Sequence, residues 1–98
     1  MIFPRFKIRL YTALQAMANQ SEVEVEAEDI GEALDLLSNK YGKGFHDSLF
    51  DKEGKILYFY RVYVNKENIP LSEAPRKRPK DGDVVHIFPP VSGGRSSA

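Results

Sequence analysis

The chain contains no cysteine and no tryptophan among its 98 residues. Without cysteine it can form no disulfide, no thiolate nucleophile and no cysteine metal site. Its two histidines, His46 and His86, lie in no known metal-ligand spacing, so we expect no metal site.

The chain also lacks an excess of charge of one sign and a long apolar run. Its 14 basic residues balance its 14 acidic residues, which argues against a general attraction to nucleic acid or anionic lipid. No stretch is long enough to span a bilayer, and Arg5 and Lys7 interrupt the segment where a signal peptide has its apolar run. We therefore expect a cytoplasmic protein with no nucleic-acid or membrane partner.

Residues for independent catalysis are scarce. Thr12, Ser48 and Ser72 have no recognisable histidine and acid partners, and no glycine-rich loop joins a strand to a helix to hold phosphate. A domain of this size also leaves little room for an enclosed pocket. We expect that the chain binds no cofactor and is not an enzyme by itself.

The N-terminal part of the sequence predicts two strands whose polar faces carry opposite charges. Apolar residues alternate with basic residues over 5–10, and with glutamates over 22–28. A period of two indicates half-buried strands, and the opposite charges predict an antiparallel pair with the two rows facing each other on the solvent side. Residues 12–21 are interpreted as the connection.

A helix follows. Asp29 and Glu32 have the capping-box spacing, and Gly42 suits the exit of the chain. Residues 45–50 are expected to add one further helical turn. The predicted apolar face of the main helix consists of Ile30, Ala33, Leu34, Leu37 and Tyr41.

The second half is rich in strand-forming residues. Residues 56–64 are predicted to form a strand, 65–68 a turn and 69–71 a short edge strand. The side chains expected to face the core are Tyr60, Val62 and Val64.

The last strand is predicted over 84–88, with Val85 and Ile87 facing inward. Pro89 and Pro90 lack backbone donors and should end the ladder. The basic loop at 75–80 is interpreted as a solvated loop or a rim that faces a partner.

The predicted order is strand, strand, helix, strand, short strand, strand. One mixed sheet of about five strands packed on one main helix buries all the apolar faces, which is the α+β arrangement called the β-grasp. We expect a β-grasp domain over residues 1–91 and a flexible C-terminal tail over 92–98 that contains Gly93-Gly94.

The tail offers the clearest chemistry. A carboxylate on glycine has no side chain beside it and can enter a narrow channel that any Cβ would block. There it can be adenylated, and the mixed anhydride accepts a nucleophile such as sulfide or an amine.

The C-terminal motif resembles that of a known family. Residues 81–94, DGDVVHIFPPVSGG, are similar to the ending of the MoaD/ThiS family of ubiquitin-like sulfur carriers, most closely MoaD, the small subunit of molybdopterin synthase. Residues 62–69 resemble that family's strand and turn of the VNGE type. Here Lys66 replaces the usual glycine, so a different turn geometry is expected.

The resemblance implies both partners and site residues. A ubiquitin-activating-like adenylyltransferase would use ATP to form an acyl-adenylate on Gly94, and sulfur transfer would give a thiocarboxylate. The tail would then insert into a large subunit such as that of molybdopterin synthase. Gly93 would be the narrow residue before the activated one. The partner-binding residues would be Phe88, Pro89, Pro90 and Val91, although Phe88 could equally be a core residue.

Residues 95–98 depart from the family pattern. Gly94 is joined to Arg95 by an amide bond, and an amide carbonyl has no carboxylate oxygen to attack ATP. Three explanations stay open: a protease cleaves between Gly94 and Arg95, the extension is artificial, or the domain is a β-grasp binding module that is never activated.

The acceptor of the sulfur is also open. The Pro-Pro-Val segment favours molybdopterin or its tungsten counterpart. Thiazole synthesis, tRNA thiolation, sulfur amino acid synthesis and conjugation as a ubiquitin-like protein modifier are the alternatives.

Overall fold

The computed structural model describes residues 2–89. In chain order these residues form β1 (Arg5–Leu10), α1 (Thr12–Ala18), β2 (Glu22–Glu26), α2 (Ile30–Tyr41), α3 (Lys43–Leu49), β3 (Arg61–Val64), β4 (Glu67–Ile69), a 3₁₀ turn (Ala74–Arg76) and β5 (Val84–Phe88).

The five strands form one mixed sheet in the order β2-β1-β5-β3-β4. The two central strands, β1 and β5, run parallel, and the other neighbours are antiparallel. One face of this sheet packs on the helices and the other face is open. This confirms the predicted β-grasp arrangement.

The predicted pairing of the basic and acidic strands is confirmed. Arg5 lies opposite Glu26, and Arg9 lies opposite Glu22, whose carboxylate is 3.0 Å from the guanidinium of Arg9. The pairs are largely exposed, so each contributes about 0.2–1 kcal/mol at most. The charged rows therefore help to fix the register of β1 against β2 but add little to the free energy of folding.

The main helix begins at the predicted cap. The Asp29 carboxylate accepts a hydrogen bond of 2.8 Å from the backbone N–H of Glu32, and the Glu32 carboxylate accepts one of 2.6 Å from the N–H of Glu28. Gly42 ends the helix at φ 98°, a left-handed conformation that favours glycine.

The sheet is covered by more helix than the one main helix that the sequence predicted. The helical turn expected near residue 45 is confirmed and extends over the seven residues of α3. The interpretation of residues 12–21 as a plain connection was wrong, because Thr12–Ala18 form α1. Leu14 and Ala18, four residues apart, are the buried pair that joins α1 to the core.

The strand predicted over 56–64 was too long. Only Arg61–Val64 pair as β3, while Ile56 forms an isolated bridge with Phe50. The backbone N–H of Tyr60 bonds to the carbonyl of Leu57 at 3.1 Å, which turns the chain before β3 starts. Of the aromatic residues before the strand, Tyr60 is buried in the core, whereas Tyr58 is exposed.

The edge strand begins two residues earlier than predicted, at Glu67 rather than Ile69, and ends before Pro70. The turn is therefore confined to Asn65 and Lys66. Asn65 adopts φ 56°, whereas Lys66 does not have a positive φ. Because Asn65 takes the left-handed conformation, the turn does not need glycine at position 66.

The predicted inward side chains of the second half are confirmed. Val62, Val85 and Ile87 are completely buried, and Tyr60 and Val64 are nearly so. The Tyr60 hydroxyl donates to the carbonyl of Ser48 at 2.8 Å, which satisfies its polar group inside the core.

Candidate partner-docking site at the end of β5

The described part of the chain ends just after β5, the central strand of the sheet. β5 lies between β1 and β3, and its last residue, Phe88, pairs with Arg61 at the start of β3. The ladder stops before Pro89, as the prolines predicted. The described residues therefore end in the middle of the sheet, with exposed sheet surface beside them.

Phe88 lies on the open face of the sheet. Its neighbours Val85 and Ile87 are fully buried, whereas Phe88 and His86 are half-buried on the opposite side. The Phe88 ring stacks on Tyr11 at 4.8 Å between centroids and meets the edge of Tyr63 at 5.5 Å. Phe88 is therefore an outward residue, not a core residue.

Four aromatic side chains form a continuous group on this face, which we call the aromatic patch: Tyr11, Tyr63, His86 and Phe88. The rings of His86 and Phe88 are parallel within 1°, with centroids 5.3 Å apart. A patch of planar rings on an open sheet face is typical of a protein-binding surface, where aromatic residues are enriched.

His86 is the titratable member of the patch. Its Nδ1 is hydrogen-bonded to the Tyr11 hydroxyl at 2.9 Å. Burial, and then the nearby charge of Arg9, lower the pKa of His86 below its ordinary value of 6.5. The imidazole is therefore neutral at neutral pH, which favours burial of the patch against a partner.

The segment before β5 holds this strand in position. Asn65 bridges two points of it: its Oδ1 accepts from the Val84 N–H at 3.1 Å, and its Nδ2 donates to Asp83 at 3.1 Å. Asp83 also accepts from the Lys80 N–H at 2.8 Å. This backbone bond, followed by the bond from Asn65, lowers the pKa of Asp83.

Asp81 fastens the same turn to β1. Its carboxylate accepts from the Arg5 N–H at 2.8 Å, and Gly82 takes φ 85° between the two aspartates. The two aspartates of the DGD motif thus join β5 to both of its neighbours, and we call this motif the DGD clamp. The sequence alone did not predict this role.

The sequence did not reveal Tyr11, Tyr63 and His86 as part of the site. Tyr63 and His86 could have been found, because they alternate with the inward residues Val62 and Ile87. Tyr11 could not, since it reaches the patch through the parallel pairing of β1 with β5.

Several predicted site residues lie outside the described range. They are Pro90, Val91, Gly93, Gly94 and Arg95. Their roles, and the domain boundary at residue 91, stay predictions.

Residues 2–89 contain no group of three or more acidic or histidine side chains that could hold a metal ion. The same range contains no helix that is both long and apolar enough to cross a membrane.

An apolar concavity of about 550 Å³ is lined partly by Ile56, Leu57, Leu71 and Pro75. Its acid, Asp51, accepts bonds from the N–H groups of Glu53 and Lys55, so it stabilises a turn.

Known proteins share both sequence and fold with this chain. A candidate sulfur carrier protein of Archaeoglobus fulgidus is 31% identical over 83 residues, which cover 83% of this chain and 93% of that protein. The solution structure of small archaeal modifier protein 1 from Methanosarcina acetivorans matches with a TM-score of 0.79 at 26% identity, over 94% of this chain and 98% of that one.

A crystal structure of a BexX/CysO complex from Amycolatopsis orientalis matches with a TM-score of 0.75 at 29% identity, over 91% of this chain and 99% of the other. The model of the ThiS family matches residues 8–94. The match covers most of the chain, including β5 and the Gly-Gly pair, and the chain therefore belongs to the ThiS family.

Proposed function

We propose that this protein is a sulfur carrier whose reactive group is the carboxylate of Gly94 after residues 95–98 have been removed. The observation on which this rests is that the family match runs through the Gly-Gly pair and stops at Gly94, immediately before the extension. The similarity to a candidate sulfur carrier over 83% of the chain supports the same function.

The chemistry requires three steps. A protease first hydrolyses the amide between Gly94 and Arg95 and releases a carboxylate. One carboxylate oxygen then attacks the α-phosphorus of ATP, pyrophosphate leaves and an acyl-adenylate forms. Sulfide finally attacks the acyl carbon and AMP leaves, which gives the thiocarboxylate. ATP binds to the activating enzyme, and this chain supplies only the acyl group.

The aromatic patch would dock the adenylyltransferase that performs the activation. It lies beside the last rung of β5, so an enzyme that covers Phe88 and Tyr63 is placed where the tail begins. Burial of such rings contributes a large share of interface energy at low entropic cost. The BexX/CysO complex is a precedent for a partner protein in a structure with this fold.

Molybdopterin synthesis is our first choice for the destination of the sulfur, with the large subunit of molybdopterin synthase as the second partner. It rests on the Pro-Pro-Val segment and on the MoaD-like ending. The other sulfur acceptors named above are the alternatives.

A second candidate function is that of a ubiquitin-like modifier. It is favoured by the similarity to small archaeal modifier protein 1, which extends over 94% of this chain. The same activated Gly94 would then be attacked by an amine instead of sulfide, so the two functions differ only after activation.

The intact mass of the protein purified from its own cells tests this proposal. We expect a form that has lost Arg95-Ser96-Ser97-Ala98, with a fraction in which one oxygen is replaced by sulfur. Gly94 in amide linkage to lysines of other proteins would instead support the modifier. A protein that retains Ala98 in every preparation would exclude both and leave the binding module.

A further inference from the structure

The cations on the open sheet face are not equally compensated. Those of β1 have carboxylate partners on β2: Arg5 is 3.4 Å from Glu26, while Arg9 and Lys7 are 3.0 and 3.5 Å from Glu22. Each of these three cations therefore has a carboxylate within 4.0 Å, with Glu22 shared by Lys7 and Arg9.

Arg61 is the exception. It is exposed on the same face, at the start of β3, and no carboxylate of residues 2–89 lies within 4.0 Å of its guanidinium. One nitrogen, Nη1, donates to the carbonyl of Tyr60 at 3.2 Å. An arginine side chain has five N–H donors, so most of its hydrogen-bonding capacity is directed to solvent.

Arg61 is also placed at the edge of the aromatic patch. It is the cross-strand partner of Phe88, so the two side chains lie on one face at the last described rung before the tail. A guanidinium next to an aromatic ring is a common combination at interface hot spots, because it adds a directional charged bond to an apolar contact.

We propose that Arg61 is a specificity-determining residue of the docking site, and that the activating enzyme presents a carboxylate to it beside an apolar surface that covers Phe88. This inference rests on the proposed function. The carboxylate would accept two parallel N–H bonds from the guanidinium, a geometry that fixes direction as well as distance. Docking would then be oriented about the point where the tail leaves the sheet.

The charges elsewhere favour an acidic protein surface over nucleic acid. The chain as a whole is neutral, and one of the two edges of the sheet is β2 with its row of glutamates. In the basic loop at 75–80, Lys77 contacts Glu67 at 3.9 Å and Arg78 contacts Glu28 at 3.0 Å, so two of its four cations are paired. A single uncompensated cation suits one carboxylate better than a run of phosphates.

The test uses chains that end at Gly94, together with ATP and the adenylyltransferase of the source organism, and measures pyrophosphate exchange. For Arg61→Glu we expect KM to rise about tenfold or more at an unchanged kcat, because a like charge would oppose docking without touching the reacting atoms. Arg61→Lys keeps the charge but loses the two parallel bonds, so its KM should lie between those of wild type and Arg61→Glu.

Lys66→Glu is the matched control, since it makes the same charge change at the exposed turn at the opposite end of β3. We expect its KM to stay within about twofold of wild type. The melting temperatures of the variants should agree, because both positions are exposed.

Equal KM values for Arg61→Glu and Lys66→Glu, with wild type active, would overturn the role of Arg61 and leave the carrier function intact. A change in the sedimentation of Arg61→Glu alone would assign the contact to a second copy of the chain, and would likewise overturn it. No exchange by wild type would overturn both proposals.

Discussion

At the scale of single residues, the contact between Tyr11 and His86 places a titratable imidazole within the aromatic patch. Burial, and then the Arg9 charge, lower the pKa of His86 and favour the neutral imidazole, whose Nδ1 lies 2.9 Å from the Tyr11 hydroxyl. Tyr63 covers the same face from β3. The face is therefore both apolar and uncharged at its centre under neutral conditions.

We predict that His86 makes folding sensitive to acid. Its pKa is lowered in the folded protein, so the unfolded chain binds more protons once the pH falls below the ordinary value of 6.5. Stability is unaffected well above that value, falls as the pH drops from it toward the folded pKa, and levels off below the folded pKa.

Melting temperatures of wild type and His86→Gln between about pH 7.5 and about pH 5 test this prediction. The carboxylates titrate in both proteins, so the difference between the two melting temperatures reports on His86. We expect wild type to lose more stability than the variant on acidification. A difference that is constant with pH would refute the assignment.

Whether Phe88 faces outward could be decided only with the structure. Parity along β5 placed Phe88 opposite Val85 and Ile87, but a residue at the end of a sheet can also turn under it. Its outward position depends on contacts with Tyr11, which follows β1, and with Tyr63 of β3. Such long-range contacts are invisible to local patterns.

At the scale of elements, the close approach of α2 to the 3₁₀ turn depends on a glycine. A Cβ built on Gly31 would lie 2.9 Å from the carbonyl oxygen of Pro75 and 3.3 Å from its Cβ. The backbone oxygen cannot rotate away. The segment after β4 is also bonded to α2 through the Ile30 N–H and the carbonyl of Lys77 at 3.0 Å.

We predict that Gly31→Ala destabilises the fold by about 1–3 kcal/mol, because the two segments must move apart. Gly44→Ala is the matched control in α3, where a Cβ would meet nothing within 4 Å. It should stabilise the protein by about 0.5–1 kcal/mol. Urea unfolding measures both changes, and equal effects of the two substitutions would contradict the proposed contact.

Elements with two independent local signals were predictable. The main helix combined a capping box with apolar spacing, and β1 and β2 combined alternation with opposite charge. α1 offered only Leu14 and Ala18 as a helical pair, and it begins at Thr12 with φ 46°, a conformation that is unusual for a β-branched residue. The start of β3 could not be located from the sequence, because strand-forming residues begin at Ile56, well before the strand does.

At the scale of the whole molecule, the fold places the end of β5 in the middle of the sheet, next to the aromatic patch. The central strand ends beside an aromatic surface, and the DGD clamp and Asn65 hold that strand against both neighbours. The β-grasp could be predicted because its elements occur in a characteristic order. The composition of the aromatic patch could not be predicted, because it combines side chains of β3 and β5 with Tyr11, which lies between β1 and α1.

The central claim is that Gly94 is the activated residue and that residues 95–98 block it. Pyrophosphate exchange with the adenylyltransferase and ATP tests this on two chains that differ only in their ends, one at Gly94 and one at Ala98. We predict exchange by the chain that ends at Gly94 and none above background by the chain that ends at Ala98. Equal exchange by both chains, or none by the Gly94 chain, would contradict the account.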